Sequence, residues 1–147
     1  MSLQTDIIFK KALSSNAELM DMLPAHGVYN TAIPMPENGK DNVKIPYVLV
    51  SFDGMENDAD TKDDYEGDED KVEISIEIAA KNREQLADIV IMVRNTIRDY
   101  FQNADPEDED YDLVPQDYTV GASRVIFDDS KPCHWQTLNY HCDTHVD

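Results

Sequence analysis

The sequence predicts an α+β domain in which an antiparallel or mixed β-sheet carries two α-helices packed on one face. Three observations predict it. In "KVEISIEIA" (71–79), Val72, Ile74, Ile76 and Ile78 alternate with Lys71, Glu73, Ser75 and Glu77, the period of a strand with one buried face. Directly after it, Leu86, Ile89, Val90, Val93, Ile97, Tyr100 and Phe101 recur at helical spacing. The order of elements is helix, strand, strand, helix, strand, strand, which suits one sheet layered against helices.

Residues 3–23 read as helix, with Ile7, Ile8, Leu13, Leu19, Met20 and Leu23 at roughly helical spacing. Ser15 to Glu18 ("SNAE") is a capping-box pattern that restarts the helix after a break, and Pro24 and Gly27 end it. Residues 24–44, with Pro24, Gly27, Pro34, Pro36 and "ENGKDN", read as irregular chain. "IPYVLVSF" (45–52) is a nearly continuous apolar run, expected as a strand buried on both faces with Pro46 at its start. Asn82, with Gln85 three residues on, is the expected N-cap of the second helix. Glu84 and Asp88 lie early in it and Arg94 and Arg98 late, as the helix dipole favours. "YTVGASRVIF" (118–127), "DDSKP" and "CHWQTLNYHCDTHV" (133–146) predict an antiparallel hairpin, with Gly121 marking a bulge or a close backbone approach.

At 147 residues the chain is expected to form a single domain, 1–147, able to bury roughly 70% of the surface its unfolded form exposes. The formal charge of −19 is unevenly spread. Two acidic loops, about 53–70 and 102–117, hold over half of the 31 acidic residues and only one base, Lys62. The body is close to neutral. Such loops repel phosphate, which argues against specific nucleic-acid binding. No apolar run approaches the roughly 18 residues of a membrane span. The start, "MSLQTDIIFKKALSS", lacks a secretory pattern, so the two cysteines are expected as reduced thiols in a cytoplasmic setting.

Residues that could carry chemistry cluster at the end, in "KPCHW" and "NYHCDTHVD". If 133–146 is extended, Cys133 and Cys142 point to opposite faces roughly 30 Å apart, so they neither pair nor share an ion. His141, Asp143 and His145 fall on one face and are the candidate metal ligands. The plainer reading is a polar strand face. A calcium loop fails in the acidic stretch: counted from Asp58 the sixth residue is Asp63, not Gly, and counted from Asp64 the twelfth is Ser75, not Glu. The remaining acidic candidates there are Asp58, Asp60, Asp63, Asp64, Glu66, Asp68, Glu69 and Asp70, read as a solvated loop. No phosphate-loop, dinucleotide, nucleophile-elbow or zinc-protease motif occurs, and His26 has no identifiable partner. No catalytic residue, cofactor or enzymatic activity is expected.

The pieces "IIFKKALSSNAELMDML" with "VYNTAIP", "IPYVLVSF", "KVEISIEIAAKNREQLADIVIMVRNTI" and the hairpin "SRVIFDD" to "HWQTLNYHCDTHV" form a pattern of hydrophobic order over most of the chain. In this order it resembles the tail-completion proteins of long-tailed phages and prophages, the tail-terminator or head–tail joining family. The resemblance implies a structural protein that forms a ring, typically a hexamer. Such a ring caps the tail tube, contacts connector proteins and lets DNA through its channel. It implies synthesis in the bacterial cytoplasm followed by incorporation into the virion tail. It carries no catalytic residues, and the two acidic stretches are longer than the family pattern. Two other readings compete with it. An acidic decoy that imitates DNA would use the charge, and a metal-dependent enzyme would use His141, Asp143 and His145.

Overall fold

A computed structural model of the chain describes residues 2–24, 27–31, 44–57, 69–129 and 133–145. A 3-10 turn at Ser2–Gln4 leads into α1 (Thr5–Ser14) and α2 (Ala17–Met22). Then come β1 (Val28–Asn30), β2 (Tyr47–Asn57), β3 (Glu69–Ala80) and α3 (Arg83–Gln102). After a second 3-10 turn at Tyr111–Leu113 follow β4 (Asp117–Ala122), β5 (Ile126–Asp128) and β6 (Cys133–His145). The fold is α+β, as expected: a six-stranded mixed sheet in the order β1-β2-β3-β6-β4, with β5 also paired to β6. The β1–β2 pair is parallel and the other pairings are antiparallel.

The starts of α2 and α3 are both set by asparagine. Asn82 is extended and its side-chain oxygen accepts the Gln85 amide at 2.8 Å, while Gln85 accepts from the Lys81 amide at 2.8 Å. At the α1–α2 break the cap is Asn16, one residue later than the Ser15 that the capping-box spacing suggests. Asn16 accepts the Glu18 amide at 3.0 Å, and the Ser15 hydroxyl instead closes α1 by donating to the Ala12 carbonyl at 2.7 Å. The Asn16 amide also donates to Thr96 Oγ1 at 2.8 Å, which ties this corner to α3. Leu23 ends α2 in the extended conformation that a residue before proline adopts. Gly27 is required by a close approach: a Cβ there would lie 2.7 Å from Leu23 Cβ and 2.9 Å from the Pro24 carbonyl oxygen.

The alternation of β3 places Val72, Ile74, Ile76 and Ile78 on the helical side, none more than 1% exposed. Val48 and Val50 of β2 and Leu138, Tyr140 and Cys142 of β6 share that face and that burial. Ile8, Phe9, Ala12 and Leu13 of α1 and Leu86, Ile89, Val93 and Ile97 of α3 close on it. Each buried aliphatic side chain contributes about 1.5–3 kcal/mol. Phe9 stands at the junction, edge-on to Phe101 at 5.1 Å and to Tyr140 at 5.0 Å, and Tyr118 of β4 touches both Phe101 and Tyr140.

Four expectations change. β1 falls inside the stretch read as irregular. β2 is buried on one face only, because every described helix lies on the same side, and it runs past Phe52 to Asn57 through a register shift at Asp53. The acidic stretch read as a loop over 53–70 therefore begins and ends inside β2 and β3. Gly121 sits in regular pairing with open space around it, and the interruption of the hairpin's first arm comes instead at residues 123–125, between β4 and β5.

Two outcomes test this packing. Phe9→Ala lowers the unfolding free energy by about 3–5 kcal/mol, read as a lower urea midpoint at unchanged slope. Burial pushes the Cys142 thiol from 9.0 up to about 12, and the neighbouring Asp143 carboxylate acts in the same direction. The unfolded chain releases this proton first, so the stabilisation is intact below about pH 9 and is lost as pH rises toward 12. The slope is up to about 1.4 kcal/mol per pH unit. Urea denaturation of Cys142→Ala shows a shallower loss between about pH 9 and 10.

Candidate functional site

Strand alternation gives the sheet a second face, turned away from the helices. It is built from Tyr47, Leu49 and Ser51 of β2, the odd-numbered residues 71–79 of β3, 133–143 of β6 and 117–121 of β4. Among the described residues no helix packs on it. Its chemistry is graded along the strands. At one end Tyr47, Ala79, Trp135 and Ile126 stand side by side across four strands. The next row holds Leu49, with Tyr29 of β1 beside it, then Glu77 and Thr137. Ser51, Ser75, Asn139 and Gly121 form the middle. At the far end Glu56, Lys71, Asp143 and Asp117 are in register, next to Glu73, His141 and Thr119.

Local bonds fix both ends. The Tyr47 hydroxyl donates to Glu77 Oε2 at 3.0 Å, and burial, followed by the Glu77 charge, holds its phenol well above the usual range. Ser75 donates to Asp53 Oδ1 at 3.1 Å. His141 Nδ1 lies 3.5 Å from Glu73 Oε1, both side chains about 60% exposed. The ionic end forms a groove of about 470 Å³.

The predicted site residues divide. His141 and Asp143 do share this face, as strand spacing requires, and His145 follows in register with Glu69 at the strand end. His141 is turned to Glu73, and Asp143 is flanked by Lys71 and Asp117. No group of three or more His, Cys, Asp or Glu able to hold a metal ion occurs among the described residues. Cys133 and Cys142 lie on opposite faces, as expected, and form no disulfide. His26, Asp58, Asp60, Asp63, Asp64, Glu66 and Asp68 lie outside the described residues. Asp70 corrects the loop reading: it is a β3 residue, 3% exposed, whose carboxylate accepts the Asn57 amide at 2.7 Å.

The second acidic stretch folds onto α3. Asp105 accepts the Glu107 amide at 2.9 Å, Asp108 accepts the Asp110 amide at 3.0 Å, and Asp110 pairs with Lys11 of α1. Its carboxylates thus serve their own turns and border a cavity of about 490 Å³ with Asn16, Tyr100 and Tyr111. The aromatic row escaped the sequence reading because a continuous apolar run such as "IPYVLVSF" looks the same whether one or both faces are covered.

No protein-family model matches the sequence, and no curated protein matches it. Among solved structures, the fold is similar to a chain in the virion of a native gene transfer agent particle. The TM-score is 0.52 at 15% identity, covering 92% of this chain and 90% of that chain. At this identity the likeness is one of fold.

The exposed His141–Glu73 contact carries little stability, because water screens it. His141→Ala shifts the unfolding free energy by less than about 0.5 kcal/mol at pH 7, measured by urea denaturation.

Proposed function

We propose that this chain is a structural protein of a phage-like particle, a tail-terminator or head–tail joining subunit that assembles as a ring at the end of the tail tube. The observation that carries this reading is a fold shared over nearly the full length of both chains with a component of a gene transfer agent virion. The one-sided sheet supports it. An aromatic row on which no described helix packs, bordered by charges, has the anatomy of a protein interface, with an apolar centre and a polar rim. The partners in this reading are further copies of the chain and the tail-tube and connector proteins on either side.

DNA passes such a ring without being gripped. The carboxylates Asp58, Asp60, Asp63, Asp64, Glu66 and Asp68 supply like charge that opposes adhesion along that path. A DNA-imitating decoy needs its acids on the surface. Here Asp70 is buried and Asp110 is paired with lysine.

Electron microscopy of the protein mixed with assembled tail tubes tests the reading. Rings seated on tube ends are expected, and tubes that stay uncapped at saturating protein overturn it. Changing Asp63, Asp64 and Asp68 together to Asn leaves capping within about twofold, since removing like charges from one stretch relieves their mutual repulsion. Loss of capping would make this stretch an interface.

A further inference from the structure

We infer that copies of this chain associate head to tail, the exposed stripe Ile91, Arg94, Asn95 and Arg98 of α3 seating on the open sheet face of the next copy. This deepens the ring assembly proposed above by naming its two surfaces.

The stripe follows from helix geometry: positions i, i+3, i+4 and i+7 lie together on one side. Ile91 is 57% exposed, a large aliphatic side chain turned to water in a helix whose other apolar residues are covered. Arg94 enters no ion pair among the described residues, and Arg98 pairs with the adjacent Asp99, at 3.3 Å with both side chains more than half exposed, while both guanidinium charges also act on Tyr118. Glu84 and Asp88 occupy the N-terminal part of the same outer surface, so its positive character is confined to the last turns.

The open face is complementary. It offers the half-buried Tyr47, Leu49, Trp135 and Ile126 to an aliphatic side chain. Beside them it sets Glu77, and further along the same strands Glu73, Asp143 and Asp117, with Lys71 among them. α3 packs on the helical side of the sheet and its stripe points outward, so the two surfaces lie on opposite sides of the molecule. A two-fold pair made through the open faces would set carboxylates against carboxylates in one orientation or against the apolar row in the other, and neither gives them a partner. Contact between unlike surfaces avoids that, and repeated around an axis it closes a ring.

Sedimentation velocity across a concentration series tests this, with circular dichroism confirming that each variant is folded. The wild-type chain is expected to associate. Arg94→Glu with Arg98→Glu, and separately Glu73→Lys with Glu77→Lys, should each weaken association at least about tenfold by placing like charges together. The chain carrying all four changes restores opposite charges across the contact and should return to within about threefold of wild type. Reversals without effect, failure of the fourfold variant to restore association, or a wild type that stays monomeric at every concentration would each overturn the inference. A monomeric wild type that still caps tail tubes would remove these two surfaces and leave the proposed function standing. Uncapped tubes with a self-associating chain would do the reverse.

Discussion

Val72, Ile74, Ile76 and Ile78 stand in a row along one side of the central strand, and both helical segments close on that row. The rest of the molecule follows from this one-sided burial. A strand whose other side carries Lys71, Glu73, Ser75 and Glu77 cannot be covered twice without stranding charge, so α1, α2 and α3 crowd onto a single face. The Phe9, Phe101, Tyr118 and Tyr140 rings then lock the first helix, the last turn of α3, the edge strand and the closing strand together. What is left over on the other side is the open, graded face of the sheet.

That surface is two-natured because β2 and β6 were built with different ends. Tyr47 and Trp135 face out where the strands are apolar on both sides, and Lys71, Asp117, Asp143 and Glu56 face out where the strands reach toward the acidic stretch. The gradient orients any partner. An aliphatic group seated at the aromatic row places its neighbours over the carboxylates that follow along the strands, and only one direction of approach satisfies both. Phosphate backbones are turned away by the same charges.

Much of this was legible in the residues. Period-two alternation identified β3, helical periodicity identified α3, and Asn82 with Gln85 marked where that helix begins, because each signal is local and undisturbed by tertiary contacts. Strand spacing also placed His141 and Asp143 on one face and the two cysteines on opposite ones. β1 was hidden because three residues carry no period, and they form a strand only through parallel pairing with Val48 to Val50. Asn16 displaced Ser15 as a cap since its amide also reaches Thr96, 80 positions away in sequence. Asp70 looked like one more acid in a charged run, and only the Asn57 amide across the hairpin explains its burial. The aromatic row needed knowledge of which face the helices choose, which no window of sequence contains.

β6 pairs with β3 on one side and with both β4 and β5 on the other. It is the last of the described elements to leave the ribosome, yet it lies at the middle of the sheet. Until residues 133–145 emerge, the isoleucine strand has one bare edge and Phe9 has no Tyr140 to meet. Earlier arrival of the helices cannot compensate, since the strand that joins the two halves of the sheet is still unmade. Emergence of residues 133–145 therefore times completion of this sheet, and until then its apolar face is the part of the chain most prone to aggregate.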